Sequence, residues 1–177
     1  MSTSASLVGR PESTEHAEYY SRYISLVPED DLLTTMRAQT EATLSFLWAL
    51  PEAVGDLRYA PGKWSVKELI GHVIDSERVF AMRAIYFARL DAAALPSFEQ
   101  DDWVKAASFD AQPLNELIAE FEHVRRGNLY FFKHLTPEAW LRRGTASGYE
   151  FTVRALAYVI VGHERYHLEI LRSRYLV

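Results

Sequence analysis

Two histidines lie four residues apart in an apolar stretch near the end of the chain, from Leu156 to Leu171. Successive residues of an α-helix are about 100° apart, so positions four residues apart differ by only about 40°. His163 and His167 therefore share one helix face. Apolar residues on the same face predict that it packs into a core; they are Leu156, Val159, Ile160, Ile170 and Leu171. A buried imidazole needs a polar partner, and one metal ion would satisfy both histidines.

The composition narrows the class of protein. A chain of 177 residues is long enough for one domain with a sizeable core. The net charge of −5 argues against a nucleic-acid partner, because phosphate binding requires a basic surface. No stretch is apolar enough to predict a membrane span or a signal peptide, so we expect a cytoplasmic protein. The absence of cysteine excludes disulfides, thiolate ligands and a cysteine nucleophile.

The hydrophobic periodicity predicts an all-α fold, a four-helix bundle with an N-terminal arm and long crossover loops. Residues 1–28 form the predicted arm, whose tyrosines pack onto a bundle domain of residues 29–177. The four helices are predicted from about Asp30 to Leu50, Ser65 to Leu90, Pro113 to Leu135, and onward from an N-cap at Thr152. A crossover is expected over residues 91–112 and a loop over 144–150. No run alternates with the period of a strand.

A third histidine, His72, lies at the edge of the apolar stripe of the second predicted helix. Together with His163 and His167 it would make a three-histidine site inside the bundle, a usual place for metal sites. Neutral imidazole suits Zn, Ni, Fe or Cu, and three protein ligands leave positions open for water or substrate. The alternative interpretation is that all three are core histidines with hydrogen-bond partners.

The residues from His163 to His167 also match H-E-x-x-H, the zinc-protease motif in which the glutamate is the general base. Such proteases take a third ligand from further along the chain, and only ten residues follow His167. No strand is predicted that would align a peptide. The sequence therefore disfavours a protease.

Four segments together resemble the DinB/YfiT-like superfamily from about Asp30 to Tyr175: Lys63–Glu68, Gly71–Glu77, Pro96–Trp103, and the terminal His163 and His167. The resemblance implies a four-helix bundle, commonly a homodimer, with a three-histidine metal site. It maps the ligands onto His72, His163 and His167. It also implies chemistry, because characterised members include S-transferases and isomerases that use thiols such as bacillithiol, mycothiol or glutathione.

The leading hypothesis is therefore a metal-dependent enzyme that transfers a low-molecular-weight thiol to a small electrophilic substrate. The expected cofactor is a divalent metal, zinc or nickel, with the thiol as cosubstrate. A second hypothesis is a metal-dependent hydrolase that uses metal-bound hydroxide as the nucleophile. A third is a non-catalytic dimeric bundle that binds a metal or a small ligand.

Other residues are candidates for supporting roles. Asp75 or Glu164 is expected to hold the distal N–H of a ligand histidine, or else to be an ordinary helix carboxylate. Cations near the second helix, Arg58 and Lys63, and also Arg154, are candidates for binding the carboxylate of a thiol cofactor, or else are ordinary surface cations. Tyr59 and Trp64 are candidates for the pocket mouth or for a hydrophobic staple. The set Asp101, Asp102 and Trp103 is a candidate lid over the metal, or else caps a helical turn in the crossover. Tyr86, Phe87 and Tyr130 are candidates for a dimer surface.

Overall fold

Four long helices form a bundle in the computed structural model, which describes residues 8–90 and 93–176. The helices are α1 Ser21–Ile24, α2 Leu32–Trp48, α3 Val66–Ala88, α4 Gln100–Ala107, α5 Leu114–Lys133, α6 Pro137–Trp140 and α7 Val153–Ile170. A π-helical turn, Leu171–Tyr175, extends α7. The long helices α2, α3, α5 and α7 make the bundle: α3 packs against α7 and α5, and α2 packs against α5. This architecture confirms the predicted fold class.

The helix starts follow from local side-chain chemistry. Ser65 and Glu68 form the predicted capping box at the start of α3, in which each side chain accepts the other residue's backbone N–H. Thr152 caps α7 by accepting a hydrogen bond from the N–H of Ala155, as predicted. These two caps fix the first residues of the helices that carry the three histidines.

One predicted loop is wrong. Residues 144–150 belong to an antiparallel hairpin of β1 Arg143–Ala146 and β2 Tyr149–Thr152. Positive φ angles at Ser147 (55°) and Gly148 (80°) make a two-residue turn whose twist suits a hairpin. The sequence hides the strands because each has only four residues, too few for a period-2 pattern. The crossover supports the hairpin, since the N–H of Leu95 donates to the carbonyl of Thr145.

The crossover contains a helix of eight residues, α4, which includes Asp101, Asp102 and Trp103, so the helical turn that is the alternative to a lid is present there. Residues 91 and 92 lie outside the described residues, and the chain then reaches α4 and a 3-10 turn, Phe109–Ala111.

Phe87 is buried against the hairpin rather than exposed, which corrects its proposed place on a dimer surface. None of the described helices is long and apolar enough to cross a membrane.

The described part of the N-terminal arm, residues 8–28, packs on α7. Tyr23 and Ile24 of α1 are buried, and Val27 follows them into the core. Arg154 and Thr152, where α7 begins, both donate to the buried carboxylate of Glu15. Burial raises the pKa of Glu15, but its hydrogen bonds and the Arg154 charge lower it to about 2. The arm is thus held by an ion pair as well as by apolar contact.

Gly162 lets α1 lie this close to α7, because a Cβ at position 162 would be 2.0 Å from the Tyr23 carbonyl oxygen. We expect Gly162→Ala to lower the free energy of unfolding by about 2 kcal/mol, since the arm must shift. Gly127→Ala is the matched control: no atom lies within 4 Å of its added Cβ, and alanine should raise helix stability by about 0.5–1 kcal/mol. Urea denaturation measures both. A stabilised Gly162→Ala variant would contradict the close contact.

Candidate metal centre

The packing of α3 against α7 brings His72, His163 and His167 together. One ligand nitrogen from each histidine lies within 4.8 Å of the others, and all three residues are buried. The Nε2 atoms of His72 and His163 are 3.2 Å apart. The ring centroids of His163 and His167 are 4.4 Å apart, as expected for neighbours one helical turn apart.

Burial keeps these histidines neutral. Burial lowers the pKa of His72 to about 4 and, with the nearby His72 and Arg22, lowers that of His167 to about 3. Burial and the neighbouring histidines also lower the pKa of His163 well below its ordinary value. A neutral imidazole has a free lone pair on one ring nitrogen, which is the form that binds a metal.

The hydrogen bonds of the cluster leave one ring nitrogen unsatisfied. Ser76 Oγ lies 3.4 Å from His72 Nδ1, whereas the buried Nδ1 of His167 has no hydrogen-bond partner among the described residues. Such an orphaned polar atom is costly in a protein interior. The donor set of three neutral imidazoles and the unsatisfied nitrogen fit a divalent cation.

Aromatic rings surround the histidines. The Trp64 ring centroid lies 4.7 Å from that of His72, and the Tyr23 and Phe80 rings lie 5.1 Å and 5.8 Å from that of His163. These rings exclude water from the sides of the cluster. Low local polarity strengthens electrostatic interactions made there.

A cavity of about 360 Å³ opens onto His72 and His163. Three parts of the chain build its walls: the arm, the face of α3, and the crossover with the hairpin turn. The lining residues besides the histidines are Tyr19, Tyr20, Tyr23, Ser76, Phe80, Ser97, Phe98, Glu99, Gln100, Asp101 and Ser147. The sequence gives no motif that assigns a site role to the tyrosines or to Ser147. The cluster of three tyrosines in the arm is the one feature that could have indicated a contribution to the cavity.

Neither carboxylate candidate contacts the histidines. Asp75 lies 3.5 Å from the guanidinium of Arg78. Glu164 is buried on another face of α7, where Thr43 and Gln39 donate to its carboxylate. The group within reach of His72 Nδ1 is the hydroxyl of Ser76 rather than Asp75.

One of the four residues considered for cofactor binding contacts the histidine cluster. Arg58 forms ion pairs with the carboxylates of Glu68 and Asp110, and Lys63 is exposed. The Tyr59 ring packs against Tyr175. Of the four, Trp64 alone contacts a histidine of the cluster. In the proposed lid, Asp101 lines the cavity, while Trp103 is half-exposed and packs on Phe98.

Glu164 belongs to a buried ionic network that joins the long helices. Arg125 of α5 donates two hydrogen bonds of 2.8 Å to Glu77 of α3. Its Nη1 lies 2.6 Å from Glu164 Oε2, close enough for an ion pair but not aligned as a hydrogen bond. Asn128 also donates to Glu77. The network links α3, α5 and α7 beside the histidine cluster.

A four-helix bundle with three converging histidines defines a candidate metalloprotein of the helical-bundle class. The family model of the DinB superfamily matches residues 33–171. The chain therefore belongs to the DinB superfamily, as the sequence motifs indicate. A search of curated proteins found no match.

A solved structure shares this fold at low sequence identity. YfiT from Bacillus subtilis is 16% identical, with a TM-score of 0.67, and the match covers 92% of this chain and 91% of that one. YfiT is described as a probable metal-dependent hydrolase with an unusual four-helix bundle topology. The likeness shows that the two chains share a fold.

The position of Glu164 predicts a structural role. We expect Glu164→Gln to lower the free energy of unfolding by roughly 3 kcal/mol, because Arg125 loses one of two buried charge partners. Metal content should be unchanged, because none of the contacts of Glu164 is with a histidine. Glu41→Gln is the control at the exposed pair with Arg126, where the loss should be under about 1 kcal/mol. A stable Glu164→Gln protein that lost its metal would instead place Glu164 at the centre.

The histidines also predict a pH dependence for the metal-free protein. The unfolded chain takes up protons near pH 6.5, whereas folded His72 resists protonation down to a pKa of about 4. The free energy of unfolding should therefore fall on acidification from pH 6.5 towards 4, by up to about 1.4 kcal/mol per pH unit for each such histidine. Urea denaturation at several pH values should give a shallower slope for His72→Gln. Equal slopes would contradict burial of a neutral His72.

Proposed function

We propose that this chain is a divalent-metal-dependent enzyme whose zinc or nickel ion is held by His72, His163 and His167. The observation that carries the proposal is the convergence of three buried, neutral imidazoles, two of which, His72 and His163, line a cavity. The unsatisfied Nδ1 of His167 supports it, since a buried ring nitrogen without a partner is costly. Membership of the DinB superfamily is consistent with it.

The reaction that we propose is transfer of a low-molecular-weight thiol to a small electrophilic substrate. A divalent ion held by neutral imidazoles keeps its full charge and lowers the pKa of a thiol or water that binds to it. The thiolate is the reactive form of a thiol. Because the chain has no cysteine, the sulfur would arrive with the cosubstrate.

The residues around the cluster support thiol transfer. No carboxylate among the described residues contacts a histidine of the cluster, so no positioned general base is evident for activating water. A thiol has a lower pKa than water before it binds, so a bound cation would bring it to the thiolate form with less help from a base. The rings of Trp64, Tyr23 and Phe80 would exclude water, which otherwise competes for the electrophile. A cavity of about 360 Å³ fits a small-molecule substrate.

A metal-dependent hydrolase is the second candidate. The observation that favours it is the shared fold with YfiT, which is described as a probable metal-dependent hydrolase. In that case Glu99 or Asp101, the carboxylates that line the cavity, would be the candidates for moving a proton. A non-catalytic metal- or ligand-binding bundle is the remaining alternative.

We further propose a cytoplasmic homodimer without a nucleic-acid partner. Tyr86 and Tyr130 remain candidates for the dimer surface because both are exposed. The net charge of −5 supports the absence of a nucleic-acid partner.

Metal content tests the centre directly. Protein made without a polyhistidine tag should hold nearly one zinc or nickel per chain by elemental analysis. His72→Ala and His163→Ala should each lose it, because two ligands rarely suffice for a stable site. His123→Ala is the matched control, since His123 is exposed on α5 and its hydrogen bond among the described residues is with the backbone carbonyl of Ala119. Wild-type protein that stays metal-free with added zinc and nickel would overturn the proposal.

Turnover then separates the two reactions. Metal-loaded protein should consume an electrophile such as an epoxide only when a low-molecular-weight thiol is added, and His72→Ala should abolish this activity. Hydrolysis of an ester or amide without added thiol would favour the hydrolase. Metal-loaded protein that turns over neither class of substrate would favour the non-catalytic bundle.

A further inference from the structure

Arg83 is a buried cation without a charge partner. Its side chain is 1% exposed, and its Nη2 donates to the Pro96 carbonyl (2.7 Å) and to Ser147 Oγ (2.9 Å). The buried Nε and Nη1 atoms have no aligned hydrogen-bond partner among the described residues, although the Tyr20 hydroxyl lies next to the guanidinium. No carboxylate among the described residues forms an ion pair with Arg83.

The other fully buried arginine of the described chain, Arg125, has the carboxylate partners that Arg83 lacks. Arg125 lies against two buried carboxylates, those of Glu77 and Glu164. Buried charges in proteins are almost always paired in this way, because an isolated one is strongly destabilising. An arginine cannot relieve that cost by releasing its proton. A bound anion would therefore stabilise Arg83, because no carboxylate of the described chain neutralises its charge.

Arg83 continues the helix face that lines the cavity. His72, Ser76 and Phe80 of α3 all line it, and Arg83 is eleven residues beyond His72, within about 20° of the same direction. The two positions are separated by about 16 Å along the helix. Helical side chains lean towards the N-terminus of their helix, which for Arg83 is the direction of the histidines.

The immediate neighbours of Arg83 form the cavity wall. Ser147, its hydrogen-bond partner, lines the cavity, and Pro96 directly precedes the lining residue Ser97. Tyr20 also lines the cavity; burial raises its pKa, and the adjacent Arg83 charge opposes that rise. The Arg83 guanidinium thus lies directly behind the wall, and the hydroxyl of Ser147 connects it to the cavity.

We propose that Arg83 and Ser147 form a subsite for the carboxylate of a small monocarboxylate substrate or cosubstrate. Ser147 Oγ accepts from Arg83 and can donate its own proton to the carboxylate, so that the anion lies close to the guanidinium charge. Glu99 and Asp101, exposed on the crossover wall, would repel multiply charged ligands such as phosphate esters. This inference rests on the proposed function, whose substrate class it specifies.

The test compares two ligands of nearly equal shape. Butanoate and butanamide differ in charge but hardly in size, so their binding to metal-free protein at matched ionic strength isolates the carboxylate. Titration followed by NMR should give wild-type protein an affinity for butanoate at least about tenfold above that for butanamide. Arg83→Gln should abolish this preference and leave the butanamide affinity unchanged. Arg89→Gln, at an exposed arginine after the end of α3, should keep it.

Several outcomes would overturn the subsite. These are no preference in the wild type, a preference that persists in folded Arg83→Gln protein, or tighter binding of inorganic phosphate than of butanoate. If Arg83→Gln fails to fold, Ser147→Ala provides the second variant and should reduce the preference; an unchanged preference there would also overturn the proposal. Because the titration needs neither metal nor turnover, its result is independent of whether the metal centre exists.

Discussion

The desolvation of three imidazoles between α3 and α7 is the constraint on which the rest of the site depends. Burial keeps His72, His163 and His167 neutral, and a buried neutral imidazole must still satisfy its donor and acceptor. The Nε2 atoms of His72 and His163 are a hydrogen-bonded pair, whereas the buried Nδ1 of His167 has no partner among the described residues. An unsatisfied nitrogen of this kind is costly in a simple core, and a bound cation would relieve that cost.

The two fully buried arginines show how burial can serve either structure or binding. Arg125 is surrounded by carboxylates from two helices, so its charge is neutralised within the fold and joins α3, α5 and α7. In the part of the chain that the structure describes, the partners of Arg83 are a backbone carbonyl and a hydroxyl, with no carboxylate. Its uncompensated charge lies beside the cavity, where a ligand could neutralise it. Arg125 therefore stabilises the packing of the helices, whereas Arg83 has a charge left over for binding a ligand.

Helical periodicity was sufficient to predict the bundle and to bring His72 onto the face that meets His163 and His167. Both depend on a periodic pattern along the chain. The caps at Ser65 and Thr152 are local as well, because each involves residues only three positions apart. The partners of Asp75, Glu164 and Arg58 depend instead on contacts between distant segments, which spacing along one helix does not specify. The hairpin also escaped prediction, because its strands gain their stability from the packing of Gly144 on Phe87 and from pairing with Leu95.

The zinc-protease motif shows why spacing alone misassigns a residue. Glu164 follows His163 directly, so on an α-helix it points about 100° away from the histidine face. That direction leads to Thr43, Gln39 and Arg125 rather than to the cavity. A general base must be within hydrogen-bond reach of the proton that it removes, and none of the contacts of Glu164 is with the histidine cluster. The glutamate of the motif therefore acts in the bundle framework, and proton transfer at the centre would have to involve residues of the cavity wall.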